Sequence, residues 1–308
     1  MREISKAPED HTHLTIDARH SPIATISPGE RVAVETTDYL GDILSESTRL
    51  GDVWGTDRLD DNINPVTGPI RVDSVSPGDA LAVEIEEIEL PDRGVINTFP
   101  GFGGLEPSID DLAPPSDPET VFCDIEDGTV TYPREDGQDV SIPAHPQVGT
   151  IGTAEKHEGR YSVKPHENGG NMDCREVTEG NTLYLPVDVD GGYLFLGDCH
   201  AAQGDGEICG ISVEVPATVT LRVDTVSDAD LSWPRIESDD EIMSVAAARP
   251  AEDAVKFAYL DLIEWLVDDY GFDETEAYHL CSAAGRVRLA QVVNPKFTVA
   301  AGFPKEFL

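Results

Sequence analysis

SPGDALAVEIE, residues 76–86, sets the fold class. Ser76-Pro77-Gly78-Asp79 has the composition of a tight turn, and directly after it Leu81, Val83 and Ile85 alternate with Glu84 and Glu86. A period of two is the pattern of a strand with one buried face, whereas a helix would repeat every 3.6 residues. The same reading predicts strands over 14–17, 31–36, 70–74, 182–187, 193–196 and 211–223, with the Asp190-Gly191-Gly192 turn closing a hairpin between 182–187 and 193–196. Short alternating strands separated by turn signals predict a mainly β chain, a β-sandwich or barrel.

Two regions depart from that pattern. EPSIDDLAPPSDPET, residues 106–120, holds four prolines and five acids and predicts a long surface loop. Near the C-terminal end, Val255, Ala258, Tyr259, Leu262, Ile263 and Leu266 form one apolar stripe, which predicts a helix over 251–269 packed on the sheets. A second helix is predicted to begin at Asp273, with Glu276 completing a capping box, and to stop at Gly285. The chain is read as one catalytic domain over 1–308, strand-rich through 235 and helix-containing over 236–308.

Composition narrows the function. Sixty Asp and Glu face 21 Lys and Arg, a net charge of −39 spread from end to end, and only six of the basic residues are Lys. A phosphate backbone would meet a repulsive field, so nucleic acid is excluded as a partner. A dispersed acidic surface poor in Lys suits a salt-rich cytosol, where a Debye length of roughly 3 Å at 1 M removes the self-repulsion. Five cysteines, an odd count without a CxxC pair, in a chain with no apolar N-terminal leader, predict reduced thiols and a cytoplasmic location. No run of about 18 apolar residues predicts a membrane span.

Chemistry concentrates in two stretches. LGDCHAAQGDGEICG, residues 196–210, sets Asp198, His200, Gln203, Asp205 and Glu207 among four glycines. If the strand from Tyr193 continues to His200, Asp198 and His200 share one face and aim at one point. PHENGGNMD, residues 165–173, presents Asn171 and Asp173 two residues apart after Gly169-Gly170. A carboxylate and an imidazole suit zinc, and additional oxygens from Asn171, Asp173 or Asp205 suit a harder ion such as calcium. Glycines at 197, 204, 206 and 210 cost local stability, roughly 0.5–1 kcal/mol each, unless a bound ion or substrate holds the loop.

GDCHAAQGDGEICG, preceded by ENGGNMD and TLYLPVDVDGGYLFL, resembles the acetamidase/formamidase family. The likeness runs from Trp54 and NPVTGPI (64–70) through SPGDALAVEI and 146–152 to WPRIES, AYHLCSAAGRVRLAQVV and FPKEFL, essentially the whole chain. It implies the mostly β fold of that family, hydrolysis of formamide or acetamide to ammonia and the acid, a divalent metal in the site, and a homo-oligomer such as a dimer. Carried onto this sequence, it points to Asn171, Asp173, Asp198, His200, Gln203, Asp205 and Glu207. One departure is Cys199, where a glycine or another small residue is expected. Metal ligation then falls to Asn171, Asp173, Asp198 and His200, and proton transfer to Glu207 with Asp205 and His200. Substrate contacts fall to Gln203, the Gly204 backbone and Trp54, the last sharing an apolar wall with Phe102.

Two rival readings stand beside this one. Cys199 beside His200 suggests a thiol nucleophile, but neighbours on a strand point to opposite faces. A calcium-binding β-sandwich that holds a ligand without catalysis would also place acids on glycine turns, yet it has no need of His200. His145, His157 and His166 precede the motif and are further candidate ligands, His166 foremost because it adjoins ENGGNMD.

Overall fold

A computed structural model describes residues 1–7, 11–105 and 117–308. Among them, two large sheets carry the chain. One has nine strands, in the order Arg2–Ile4, Glu30–Glu35, Thr218–Val226, Ala80–Glu89, Thr182–Pro186, Arg235–Glu237, Glu241–Ala248, Phe297–Pro304 and Arg286–Gln291. The other has twelve and centres on Leu194–Ala202, which pairs with Gln147–Thr153 on one side and with Val66–Val72 and Val213–Val215 on the other.

The alternation that predicted strands also decides what lies between the sheets. Leu81, Val83 and Ile85 of the first sheet meet Ile151, Leu194 and Leu196 of the second in one core. Burying each such side chain contributes about 1.5–3 kcal/mol, so the periodic positions are the ones that hold the sheets together. The first sheet is also covered on its outer side. In Glu241–Ala248, Met243 and Val245 turn inward, while Ile242, Ala246 and Ala248 join Ala258, Leu262 and Trp265 of the helix Ala251–Tyr270. Asp261 is buried on the same helix because Arg235 reaches it at 2.9 Å. The predicted stripe is rotated: Val255, Tyr259 and Ile263 face the groove toward the second helix, Glu274–Ala284. That helix starts with the predicted capping box, Asp273 accepting from the Glu276 N–H at 2.8 Å and Glu276 from the Asp273 N–H at 3.2 Å.

Three expectations are corrected. The Asp190-Gly191-Gly192 turn closes no hairpin, because Thr182–Pro186 lies in the nine-stranded sheet and Leu194–Ala202 in the twelve-stranded one. Residues 211–223 are not one strand. Pro216 has no N–H for a ladder, and there the chain leaves Val213–Val215 in one sheet and enters Thr218–Val226 in the other. The predicted loop over 106–120 falls mostly outside the described residues, but Glu119 and Thr120 already belong to a strand, Glu119–Glu126. No helix among the described residues is long and apolar enough to cross a membrane.

Candidate active site

The strand Leu194–Ala202 carries the centre of the site, and its two faces divide the chemistry. Cys199 lies in the core between the sheets, accepting from the Thr36 hydroxyl at 3.6 Å, and burial pushes its thiol up to about 12. Asp198 and His200 turn the other way and meet Asp173, the three ligand atoms lying within 4.8 Å of one another. Asp198 adopts φ 57°, Asp173 φ 46° and Glu207 φ 45°, a left-handed conformation that side chains hold at a cost of order 1–3 kcal/mol when the surroundings over-determine it. The neighbouring strand supplies the room. A Cβ on Gly149 would lie 2.7 Å from the Asp198 carbonyl oxygen, 2.8 Å from Asp173 Oδ1 and 2.8 Å from His200 Cε1.

The hydrogen-bond network fixes His200. Gln203 Nε2 donates to the carbonyls of Asp173 and Ala290 at 2.6 and 3.1 Å, which turns Gln203 Oε1 to His200 Nδ1 at 2.9 Å. Nδ1 therefore carries the hydrogen, and Nε2 faces carboxylates: Glu214 Oε2 at 3.3 Å and Asp198 Oδ1 at 3.6 Å. The sequence reading places Glu214 inside the predicted strand 211–223 and gives it no part in the site. Its signal was the flanking pair Val213 and Val215, both in the core, which puts Glu214 on the face of the pleat toward His200. Glu214 Oε1 accepts from the Ser212 N–H at 2.9 Å and Glu207 Oε1 from the Ser212 hydroxyl at 2.8 Å, so one serine positions two carboxylates.

Asn171 supports this arrangement through its amide nitrogen. With its oxygen accepting from Asn294 Nδ2 at 3.0 Å, its nitrogen donates to Asp198 Oδ2 at 2.8 Å and Asp173 Oδ1 at 3.0 Å. Thr150 donates to Asp198 Oδ2 at 3.1 Å and Asn294 to Asp173 Oδ2 at 2.7 Å. Thr150 and Asn294 come from distant segments; the likeness covers Thr150's stretch, 146–152, but nothing in the sequence ties either residue to the cluster.

Four carboxylates and one imidazole are thus buried together, each less than a tenth exposed. Burial, with Glu207 and Asp198 nearby, holds the Asp173 carboxyl well above the usual range. Burial likewise raises Glu207, and raises Glu214 to about 8. For His200, burial favours the neutral ring, but Glu214 and Asp198 outweigh it and hold its pKa well above the ordinary value. Such a cluster calls for positive charge, because like charges in a low-dielectric interior repel strongly. His200, Glu207 and Glu214 form a second set of potential ligand atoms within 4.8 Å of one another. Both His200 Nε2 and Glu214 Oε2 are buried without a hydrogen-bond partner. The donor set, the orphaned atoms and the bare backbone at Gly149 fit a divalent cation.

The cluster forms one side of a cavity of about 290 Å³, walled by Tyr39, Phe99, Phe102 and Ile211. Six sequence candidates lie outside the cluster. Asp205 is half exposed and pairs at 3.8 and 3.6 Å with Arg175 and Arg288. Gly204 lines a neighbouring cavity of about 600 Å³ together with His145, and Glu207 and Ile211 border both cavities. Trp54 stands behind the wall, edge-on to Phe99 with ring centroids 5.4 Å apart. His157 is exposed. His166 is buried outside both ligand sets, its Nδ1 accepting from the Asn168 N–H at 3.2 Å, and burial lowers its pKa to about 4.

Residues 4–158 and 93–308 match the acetamidase/formamidase family. The chain belongs to that family. An acetamidase from Yersinia enterocolitica of known structure is 37% identical, with a TM-score of 0.89 over 99% of this chain and 92% of that one. The acetamidase of Bacillus halodurans is 32% identical, with a TM-score of 0.88 over 99% and 98%. These likenesses establish the mainly β acetamidase/formamidase fold for this family member. The formamidase of Methylophilus methylotrophus is 25% identical over 254 residues, 67% of this chain, and the chain spans 62% of that relative's length.

Proposed function

We propose that the chain hydrolyses short aliphatic amides, formamide or acetamide, to ammonia and the carboxylic acid in a metal-dependent reaction. The observation that carries this reading is the clustering of Asp173, Asp198, His200, Glu207 and Glu214, whose four carboxylates line one apolar-walled void. The names of the related acetamidases and formamidase support the substrate class. In this reading Asp173, Asp198 and His200 hold a divalent ion, with Glu214 within reach. His200 in the donor set favours zinc over calcium, which takes oxygen ligands. Once bound, the ion would polarise the amide carbonyl and make a nearby water more acidic.

The chain's own groups move the protons. Glu207, fixed by the Ser212 hydroxyl, takes a proton from the attacking water as the new C–O bond forms. It returns that proton to nitrogen as the C–N bond breaks, and ammonia leaves. Its burial raises its proton affinity, the direction that favours holding the proton between the two halves of the exchange. Gln203 keeps His200 Nε2 directed into the cluster. Asn171 acts as a donor that orients Asp198 and Asp173 and not as a ligand. Asp205, Gly204 and Trp54 receive no part, since Asp205 pairs with Arg175 and Arg288, Gly204 lies outside the lining of the 290 Å³ cavity and Trp54 stands behind Phe99.

The reading further takes residues 1–308 as one catalytic unit in a salt-rich cytosol, with the net charge of −39 as its support, and assembled as a homodimer by family likeness. Ammonia release from formamide and acetamide in molar salt, after chelation and after return of zinc or calcium, tests the core of it. Full turnover by verified metal-free protein removes the metal, and ion binding without ammonia release leaves a calcium-site binding protein instead.

A further inference from the structure

We infer that Asn64 and Tyr39 form the subsite that grips the amide group itself, Tyr39 donating to its carbonyl oxygen and Asn64 Oδ1 accepting from its N–H. This inference rests on the amidase reading above. Both side chains line the cavity that also exposes Asp173, Asp198, Glu207 and Glu214. Their backbones are joined, the Asn64 N–H donating to the Tyr39 carbonyl at 2.6 Å.

The hydrogen-bond inventory singles out these two. Asn64 Nδ2 donates to Thr150 Oγ1 at 3.1 Å and to the Ser162 carbonyl at 3.4 Å. A carbonyl only accepts, so the nitrogen is fixed on that side and Oδ1 on the other. Oδ1 is left buried and without a partner on a residue only 4% exposed, a desolvated acceptor whose cost a ligand N–H would remove. Tyr39 is 5% exposed, and its hydroxyl oxygen accepts from Asn97 Nδ2. No described residue takes its hydrogen. Burial and the nearby Glu214 keep the phenol protonated. The remaining amide donors on the cavity wall are committed, Asn171 to two carboxylates and Asn294 to Asp173. Tyr39 is therefore the described side chain there with an unused hydrogen.

A primary amide offers one acceptor and two donors, and this pair supplies their complements. The carboxylate product offers only acceptors. Its oxygen would face the lone pairs of Asn64 Oδ1, so the subsite favours substrate over product. NPVTGPI, noted in the sequence, begins with this residue, and Asn64 holds φ 56°, a conformation that Asn, Asp and Gly tolerate.

Steady-state ammonia release by the metal-loaded full chain, with acetate as inhibitor, tests the assignment. Tyr39→Phe, which removes one oxygen, is expected to lower kcat/KM for acetamide by roughly 10–10³-fold, as loss of one carbonyl-directed donor does. Asn64→Gly is expected to lower the ratio of the acetate inhibition constant to the acetamide KM, whereas general loosening of the site raises both constants together. Asn64→Asp, which keeps an acceptor and adds charge, is expected to raise that ratio, and it serves if the glycine variant does not fold. Tyr39→Phe with wild-type kcat/KM, or an unmoved ratio in both Asn64 variants, overturns the subsite while the amidase reading stands. Absence of ammonia release from any short amide by the wild type overturns the amidase reading and this subsite with it.

Discussion

Single atoms decide how the site is held. Replacing Glu207 by Gln keeps its shape and its contact with Ser212 but removes the proton acceptor. Turnover is expected to fall by roughly 10²–10⁴-fold, with the thermal midpoint of the metal-free protein unchanged or raised because one like charge has left the cluster. Gly149→Ala forces a Cβ against the Asp198 carbonyl, Asp173 Oδ1 and His200 Cε1. Overpacking of this kind costs about 1–3 kcal/mol. Isothermal titration with zinc should show a larger loss of affinity than the unfolding midpoint accounts for, since the collision displaces two proposed ligands. Next to Tyr39, burial pushes the Asp38 carboxyl up from 3.8 to about 6. Between those values the folded chain keeps a proton that the unfolded chain has lost, so stability falls as pH rises through that window. The full contribution is present below about 4. Asp38→Asn preserves an acceptor for the Leu40 and Asp42 N–H groups and should flatten the slope, gaining up to about 3 kcal/mol over the parent at pH 7. Urea midpoints at pH 4 and pH 7 check the sign.

At the scale of elements, the outer helices and the site answer to different packing. Leu262→Ala empties space against Ile242 and Phe303 and should cost about 2–5 kcal/mol. kcat/KM for acetamide, measured where the variant is still folded, should stay at the parent value, because that layer lies across the sheet from the core. Asp273→Ala removes the capping box of Glu274–Ala284 and should cost about 1 kcal/mol. These elements were legible because strand periodicity and helix caps are local signals. Strand partners were not, because a ladder joins residues far apart in sequence. Thr182–Pro186 and Leu194–Ala202 read as a hairpin across Asp190-Gly191-Gly192 yet pair in different sheets. The meeting of Asp173, Asp198 and His200 was legible from spacing within two segments. Glu214 was hidden inside an alternating run, Asn64 and Thr150 lie in the stretches 64–70 and 146–152 where the likeness marks the segment but not the residue, and Tyr39 lies in no stretch the sequence singled out. Asp205 and Glu207 look alike in sequence, and what separates them is the backbone: Gly206 at φ 88° and Glu207 at φ 45° turn the second inward.

For the whole molecule, the dominant quantity is the net charge of −39. Self-repulsion of that size weakens as the Debye length falls from about 10 Å at 0.1 M to about 3 Å at 1 M. Scanning calorimetry across a sodium chloride series should show the unfolding temperature rising with salt, and a flat or falling series would remove salt adaptation. The surface can bear such a load because the interior binds the sheets to each other over long distances. The crossing at Pro216 and Ala217 is the shortest of these ties, with only two residues between Glu214's strand, Val213–Val215, and the strand Thr218–Val226 of the other sheet. That link acts as a rivet between the layers. Slippage of one layer against the other would drag Glu214 away from His200 before any side chain had unpacked, so loss of catalysis under heat or dilution should run ahead of loss of secondary structure.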